Sequence, residues 1–315
     1  MTNAGNALID LVVTDKSAAA QGVVALTLRH PDGLRLPDWS PGAHLDLVLP
    51  NGMVRQYSLC GDRWDSTSYR IGVLREPAGR GGSAFIHDRL RPGDRVATSA
   101  PRNNFRLVPS PRYLFIAGGI GITPLLPMVL QAERLGADWH LLYGGRTLAG
   151  MAFLDELGER ATIVPQDESG LLDLPAHLPP PGSDTKVYCC GPAPLLHALE
   201  QLTVDHPAGQ VRTERFVATT EVSSASDEPF EVELRRTGVT VVVAPRQSML
   251  DAINAAGAGV LSSCRQGTCG TCETAVVAGI PEHRDSILDD AERAAGDCLF
   301  PCVSRCGSGR LVLDV

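Results

Sequence analysis

Three closely spaced cysteines near the C-terminus constrain this chain more than any other feature. Cys264, Cys269 and Cys272 follow the pattern C-x4-C-x2-C, which is the plant-type spacing for a [2Fe–2S] cluster. Such a cluster needs a fourth thiolate from farther along the chain, and Cys302 is the predicted donor. Four thiolates must converge on two irons, so the chain has to wrap closely around the cluster.

Small residues fill the spaces between these cysteines. They allow unusual backbone angles and let backbone N–H groups point at the sulfurs, which also tunes the cluster potential. The residues are Gly267, Thr268, Gly270 and Thr271.

A zinc site is the alternative interpretation, because Cys269-x2-Cys272 alone is a common zinc half-site. A zinc ribbon would use a second C-x2-C pair, which the sequence lacks. Cys298, Cys302 and Cys306 lie four residues apart, a spacing closer to one face of a helix than to a metal knuckle. The sequence therefore favours the cluster, with Cys298 and Cys306 as the other candidates for the fourth ligand.

Composition narrows the class of protein. A length of 315 residues predicts two or three domains, and no run approaches the ~18 apolar residues of a membrane span. A net charge of −8 disfavours nucleic acid and anionic membrane as partners. The odd count of nine cysteines and the absence of a secretory signal favour a reducing cytosol. We expect a cytoplasmic monomer.

Two stretches mark domain boundaries. A polar, Ser-rich stretch that ends at Pro229 is typical of a linker, and Pro109 and Pro111 interrupt a strand pattern. The predicted organisation is a β-barrel domain at 1–108, an α/β domain at 109–220, a linker at 221–228 and an α+β domain at 229–315.

The first segment is predicted to be an antiparallel β-barrel. Short alternating stretches are separated by Gly, Pro and Asp turns, as in Val23–Leu28, His44–Leu49 and Tyr69–Leu74. In Arg55-Gln56-Tyr57-Ser58, Arg55 and Tyr57 share one face of a strand. An arginine can hold a phosphate bidentately, and a tyrosine ring can lie on a flat heterocycle.

A glycine turn follows in the same segment. Gly81, Gly82 and Ser83 precede a helix pattern at Ala84–Leu90, with Ser83 as the expected N-cap. Oriented N–H groups at such a helix start form an anion site.

The second segment is predicted to contain a parallel sheet. The apolar strand Arg112–Ala117 runs into the turn Gly118–Pro124 and then a helix at Leu125–Leu135, a βα unit that places a nucleotide at the carboxyl end of a sheet. A later strand, Lys186–Cys189, ends in the turn Cys190-Gly191-Pro192. Two glycine turns after parallel strands would face the same crevice.

The third segment is predicted to be a small mixed sheet with a helix across it. Phe230–Leu234 and Thr240–Val243 resemble a hairpin, and Ser248–Ala255 has a helix pattern. Glu214-Arg215-Phe216, just before the linker, could contact this segment.

The full set of motifs resembles the phthalate dioxygenase reductase family, with vanillate demethylase reductases as close relatives. The resemblance covers essentially the whole chain, in the order flavin domain, NAD domain and β-grasp ferredoxin domain. It implies an NADH-dependent oxidoreductase that contains FMN and feeds electrons to a Rieske-type oxygenase.

The resemblance also implies roles for individual residues. Hydride transfer from nicotinamide C4 to flavin N5 would precede single-electron steps to the cluster, with Cys190 near the hydride path as packing. The flavin motif is Arg55, Gln56, Tyr57 and Ser58, and the FMN-phosphate loop is Gly81, Gly82 and Ser83; the nicotinamide-nucleotide turns are Gly119, Gly121 and Thr123, and Cys190, Gly191 and Pro192; the cluster ligands are Cys264, Cys269, Cys272 and Cys302.

Several alternatives stay open on the sequence alone. The acceptor could be a cytochrome P450, or the chain could be a redox sensor without enzymatic activity. FAD could replace FMN. Arg146, at a strand end, could contact a 2′-phosphate, so NADPH could replace NADH.

Overall fold

A computed structural model describes residues 8–216, 228–262, 264–268, 270–288 and 290–315. The chain divides into two compact units, Met1–Arg215 and Phe216–Val315. The predicted linker, 221–228, lies outside the described residues except at Glu228. The boundary proposed at 108/109 falls inside the first unit, which holds two separate sheets.

The first sheet is antiparallel and has six strands in the order β4-β3-β6-β1-β2-β5. An antiparallel bridge between Leu59 and Ile71 joins the two end strands and closes the barrel that the alternating pattern predicts. Inward-facing side chains such as Leu28, Leu45 and Val73 are fully buried. The elements are β1 (Ile9–Ala20), β2 (Val23–Arg29), β3 (His44–Val48), β4 (Val54–Ser58), β5 (Ser68–Leu74), α1 (Gly82–Asp88) and β6 (Arg95–Thr98).

The second sheet is parallel, with the order β11-β10-β7-β8-β9. Strand order reverses between β7 and β10, and ligands of such sheets bind at the carboxyl ends of the strands at that point. The elements are β7 (Arg112–Gly118), α2 (Ile122–Arg134), β8 (Asp138–Gly145), β9 (Ala161–Pro165), α3 (Gln166–Ser169), α4 (Leu174–His177), β10 (Thr185–Cys190), α5 (Ala193–Leu202) and β11 (Val211–Glu214), with 3₁₀ turns at Gly119–Gly121, Leu148–Gly150 and Leu154–Glu156.

The second unit contains a mixed sheet with the order β13-β12-β18-β14-β16. Its core is formed by apolar residues of the sheet and of α6, among them Val232, Ile253 and Leu311. The elements are β12 (Phe230–Leu234), β13 (Val239–Val243), α6 (Met249–Ala255), β14 (Thr274–Ala278), β15 (Pro281–Glu282), α7 (Asp290–Ala295), β16 (Cys298–Leu299), β17 (Arg305–Cys306) and β18 (Arg310–Leu313).

The four-residue spacing of the last three cysteines resembles a helical face, but the structure forms no helix there. Cys298 lies in β16 and Cys306 in β17, with a turn at Cys302 between them. Strands β16 and β17 pair with β14 and β15, whose backbone groups would lose these partners if this stretch were helical. Among the described residues, no helix is long and apolar enough to cross a membrane.

Candidate functional site

The predicted flavin motif lies on β4, which pairs with β3 so that Arg55 faces Leu47 and Tyr57 faces Leu45. The Arg55 guanidinium donates hydrogen bonds to the carbonyl oxygens of Val54 (2.7 Å) and Arg80 (2.8 Å). Burial and the neighbouring Arg80 both lower the pKa of Arg55, so two cations converge here. Burial has the opposite effect on the nearby Tyr57 hydroxyl, because it raises the pKa of that acid. The strand thus presents cationic and aromatic groups together.

The glycine turn before α1 packs directly on Arg55. A Cβ added at Gly82 would lie only 2.4 Å from Arg55 Nε, so glycine is what lets the guanidinium approach the helix start. Gly81 precedes the helix with φ 81°, in the left-handed region that glycine tolerates. This arrangement places two arginines beside backbone N–H groups, which suits a phosphate.

Ser83 does not cap the helix as the sequence predicts. Gly81 occupies the cap position and α1 begins at Gly82, two residues earlier than expected. The Ser83 hydroxyl instead accepts the N–H of Glu76 at 3.0 Å. Because Gly81 can adopt a left-handed conformation, the chain enters the helix before it reaches the serine.

The two glycine turns of the parallel sheet are in contact with each other. A Cβ at Gly121 would lie 2.2 Å from the carbonyl oxygen of Cys190, and one at Gly118 would lie 2.5 Å from Pro192 Cδ. Glycine at both positions is therefore needed for the turns to meet at the carboxyl ends of β7 and β10. Gly119, with φ 55°, has open space around its Cα.

Thr123 is buried behind the first turn. Its hydroxyl donates to the Ile120 carbonyl oxygen at 2.9 Å, and its methyl group would lie 2.8 Å from a Cβ at Gly72 of the barrel strand β5. The side chain therefore tightens the turn and packs it against β5.

A thiol and a carboxyl group lie side by side behind the second turn. Cys190 on β10 is directly opposite Glu214 on β11, with Cys190 Sγ 3.8 Å from Glu214 Oε2. Burial raises the pKa of Glu214 to about 8, and burial followed by the Glu214 charge raises the pKa of Cys190 well above its usual range. Burial therefore favours the protonated form of both groups.

The sequence suggests that Glu214 could contact the third segment. The contacts described for the Glu214 side chain lie instead in the first unit. Arg215 likewise pairs with Glu200 of α5. The signal that could have found the Cys190–Glu214 pair is that each residue ends one of two consecutive strands of the parallel sheet.

The cysteine loop brings three of the predicted ligands together. Cys302 hydrogen-bonds with Cys272 and lies close enough to Cys264 for the charge of that thiolate to affect the pKa of Cys302. The pKa of Cys302 is lowered by the Cys272 hydrogen bond, against opposing burial and Cys264, with a further contribution from the backbone of Gly267. The N–H of Gln266 donates to Cys264 Sγ at 3.3 Å. Cys269 lies outside the described residues.

Left-handed backbone shapes this loop. Gly267 (φ 68°) and Gly270 (φ 74°) adopt it, as small residues in this position predict, and so does Arg265 (φ 56°). Within the described part of the chain, no three His, Cys, Asp or Glu side chains are arranged to hold a single ion. A [2Fe–2S] cluster asks for two thiolates on each iron rather than three around one ion.

The other two candidate thiols lie in different surroundings. Cys298 pairs across from Ala275, and burial together with Glu273, Asp297 and other carboxylates raises its pKa to about 11. Cys306 Sγ lies 3.5 Å from the Ser308 hydroxyl. The contacts described for Cys298 and Cys306 do not include Cys264, Cys272 or Cys302.

Comparison with known proteins places the whole chain in context. A family model described as a 2Fe-2S iron-sulfur cluster binding domain matches residues 232–307, which argues against the zinc interpretation. The phenoxybenzoate dioxygenase subunit beta of Ectopseudomonas oleovorans is 44% identical over 301 residues, covering 94% of each chain.

Solved structures are similar to this chain over nearly the full length of this chain. A phthalate dioxygenase reductase, described as a modular structure for electron transfer from pyridine nucleotides to [2Fe-2S], is 36% identical with a TM-score of 0.72, over 98% of each chain. An intact type IV self-sufficient cytochrome P450 monooxygenase is 39% identical with a TM-score of 0.91, over 98% of this chain and 41% of that one.

Proposed function

The chain belongs to the phthalate dioxygenase reductase family, and on that premise we propose that it passes electrons from NADH through FMN to a [2Fe–2S] cluster and on to a partner oxygenase. The predicted cofactor set of FMN, NADH and a [2Fe–2S] cluster agrees with this family. The observation that carries the proposal is the presence, in one chain, of two nucleotide-type turns in contact and a separate loop of converging thiols.

The flavin supplies the change from two-electron to one-electron chemistry, because it is stable with zero, one or two added electrons. Arg55 and Gly82 would hold its phosphate, since a cationic side chain and oriented N–H groups already meet there. Tyr57 and Ser58 would orient the ring from the same strand, with Gln56, Gly81 and Ser83 completing the surroundings.

Nicotinamide nucleotide would bind across the two glycine turns. Gly119, Gly121 and Thr123 form one side, and Cys190, Gly191 and Pro192 the other. The Cys190 thiol is buried in surroundings that favour its neutral form, so its role would be to pack beside the hydride path. Packing is sufficient, because hydride transfer needs no proton acceptor in the protein.

Cys264, Cys269, Cys272 and Cys302 are the proposed cluster ligands. Thiolate is the form that binds iron, and Cys302 lies in hydrogen-bond contact with Cys272 and close to Cys264, as ligands of one cluster must. The domain boundaries given above, a monomeric state and a cytoplasmic location remain part of the proposal.

A Rieske-type oxygenase is the proposed acceptor, since the phenoxybenzoate relative is named as a dioxygenase subunit. A cytochrome P450 is the second candidate, favoured by the high structural similarity to part of a self-sufficient P450 monooxygenase. The redox-sensor alternative is set aside, because the relatives are oxidoreductases of oxygenase systems.

An anaerobic visible spectrum of the full chain, titrated with NADH and then NADPH, tests the proposal. Broad absorbance beyond the flavin bands that bleaches with NADH, and release of FMN on denaturation, is the expected result. A colourless protein that holds zinc would contradict it, and release of FAD would change the flavin assignment alone. Cytochrome c reduction that is lost in Cys269→Ser would connect the cluster to the electron path.

A further inference from the structure

A short segment after β15 contacts the cysteine loop. The N–H of Ser286 donates a hydrogen bond to the carbonyl oxygen of Gly267 at 2.9 Å. A Cβ at Gly267 would lie 3.0 Å from Asp285 Cα and 2.7 Å from Val303 Cγ2. The backbones of the two segments are therefore as close as glycine permits. Because Gly267 also hydrogen-bonds to Cys302, the position of Asp285 bears on a proposed cluster ligand.

The Asp285 carboxylate folds this segment. Its side chain is 0% exposed, and Oδ2 accepts the N–H groups of Ile287 (3.1 Å) and Leu288 (2.9 Å). Burying a carboxylate costs free energy unless charges and hydrogen bonds compensate. The two N–H groups supply part of that compensation, and in return they hold the chain in a tight turn.

Two basic residues complete the surroundings of Asp285. Arg293 on α7 lies 3.8 Å from Oδ2 and donates to the carbonyl oxygens of Asp285 (2.6 Å) and Leu288 (3.0 Å). His283, whose side chain is 8% exposed, has its Nδ1 3.7 Å from Asp285 Oδ1. The turn is thus braced from both sides.

The turn also delivers apolar side chains to the thiols. Ile287 and Leu288 pack against the apolar cluster formed by Leu250, Phe300 and Cys272, to which Cys302 also belongs. Solvent exposure and hydrogen bonds to sulfur are two of the factors that set a cluster's potential and stability. The apolar side chains of the segment limit the solvent exposure of the thiols. Through Gly267, the segment also bears on a hydrogen bond to Cys302.

We propose that Asp285 is a positioning residue for the iron–sulfur cluster: its buried carboxylate fixes residues 285–288 against Gly267 and Cys302 and closes the apolar wall over the thiols. This inference rests on the proposed function, because it assumes that those thiols hold the cluster.

Three variants of the full, cluster-loaded chain test it: Asp285→Ala, Asp285→Asn and Arg293→Met. The readouts are the rate of iron release to a chelator and the EPR spectrum of the reduced cluster. Loss of a supporting group around a metal site costs ~10–100-fold in metal affinity, so Asp285→Ala should release iron at least about tenfold faster with shifted EPR g-values. Asp285→Asn should resemble the wild type, because its amide oxygen can accept the same two N–H groups.

The partly exposed pair Glu233–Arg310 of the same unit provides the matched control, and Glu233→Ala should leave both readouts unchanged. If Asp285→Ala does not fold, Arg293→Met decides: faster iron release supports the proposal, and a wild-type rate overturns it. An unaltered Asp285→Ala protein, or equal loss in the Asn and Ala variants, would also overturn it. A wild-type chain without a cluster would instead contradict the proposed function.

Discussion

Cys190 and Cys302 show how differently one chain can treat the same side chain. Cys190, in the first unit, ends a parallel strand, is fully buried and lies beside a carboxyl group. Cys302, in the second unit, lies in a turn beside another thiol and a backbone N–H group. The pKa of the first thiol is raised, chiefly by burial, and that of the second is lowered, chiefly by the Cys272 hydrogen bond.

This contrast separates packing from metal binding. A neutral thiol is a small apolar group that fills space, whereas iron needs a thiolate. The first unit surrounds its cysteine with groups that disfavour the anion, whereas the second unit places its cysteine beside two further thiols that could share a metal centre. The environment of each thiol therefore predicts which loss will matter to electron transfer.

The largest expected effect comes from removing the predicted fourth ligand. Cys302→Ser should lose the cluster and slow NADH-driven cytochrome c reduction at least about 100-fold, because loss of a direct ligand should exceed the ~10–100-fold effect of supporting groups. Direct reduction of ferricyanide by the flavin should persist. Iron content and both rates are the measurements.

Cys298→Ser and Cys306→Ser are the matched controls for this variant. Both should keep the cluster, because the contacts described for these thiols do not include another cluster cysteine. Loss of iron in Cys298→Ser with retention in Cys302→Ser would reverse the assignment.

The next effect concerns the contact between the two glycine turns, where Gly121 meets Cys190. Gly121→Ala would place a Cβ 2.2 Å from the Cys190 carbonyl oxygen, which is backbone and cannot move aside cheaply. Separating the two turns should slow flavin reduction by NADH about 10–100-fold, since a misplacement of ~1 Å can cost this much. Stopped-flow flavin bleaching measures it. Gly158→Ala, where a Cβ meets nothing within 4 Å, should reduce normally.

A smaller effect is expected when the Cys190 thiol itself is removed. Cys190→Ala should destabilise the first unit by about 1–2 kcal/mol through the small cavity that it leaves. Flavin reduction by NADH should slow by no more than about tenfold, since a loss of ~1.4 kcal/mol corresponds to that factor. Iron content should not change. A loss of activity as large as that of Cys302→Ser would mean that the thiol does more than pack.

The smallest effect is a change in the pH dependence of stability. With a folded-state pKa of about 8 against 4.5, Glu214 holds a proton that the unfolded chain releases between these values. Stability should therefore fall as pH rises through that window, and Glu214→Gln should lack this fall. Urea transitions of the flavin-binding unit at pH 5.5 and 8.5 measure it.

The exposed Glu159 supplies the control for this experiment, because Glu159→Gln should keep the wild-type pH dependence. If Glu214→Gln and the wild type lose the same stability on going to pH 8.5, the carboxyl group is ionised in the folded protein and the neutral pair around Cys190 is wrong.

The amino-acid sequence alone predicts the order and class of the three larger sheets, because hydrophobic periodicity and glycine turns are local signals. It also determined that the chain carries an iron–sulfur cluster domain, because the spacing C-x4-C-x2-C is specific. Short patterns failed where the local signal was ambiguous. The four-residue spacing of Cys298, Cys302 and Cys306 resembles a helical face although these residues lie in short strands and a turn, and Gly81 rather than Ser83 caps α1.

Which groups face one another across these elements depends on how the chain folds in three dimensions. Strand pairing brings Glu214 beside Cys190, although 24 residues separate them. Likewise, the close approach of Asp285 to Gly267 depends on how two loops of the second unit pack. Charge, burial and hydrogen bonding at a thiol are set by such distant neighbours, and a linear pattern does not encode them.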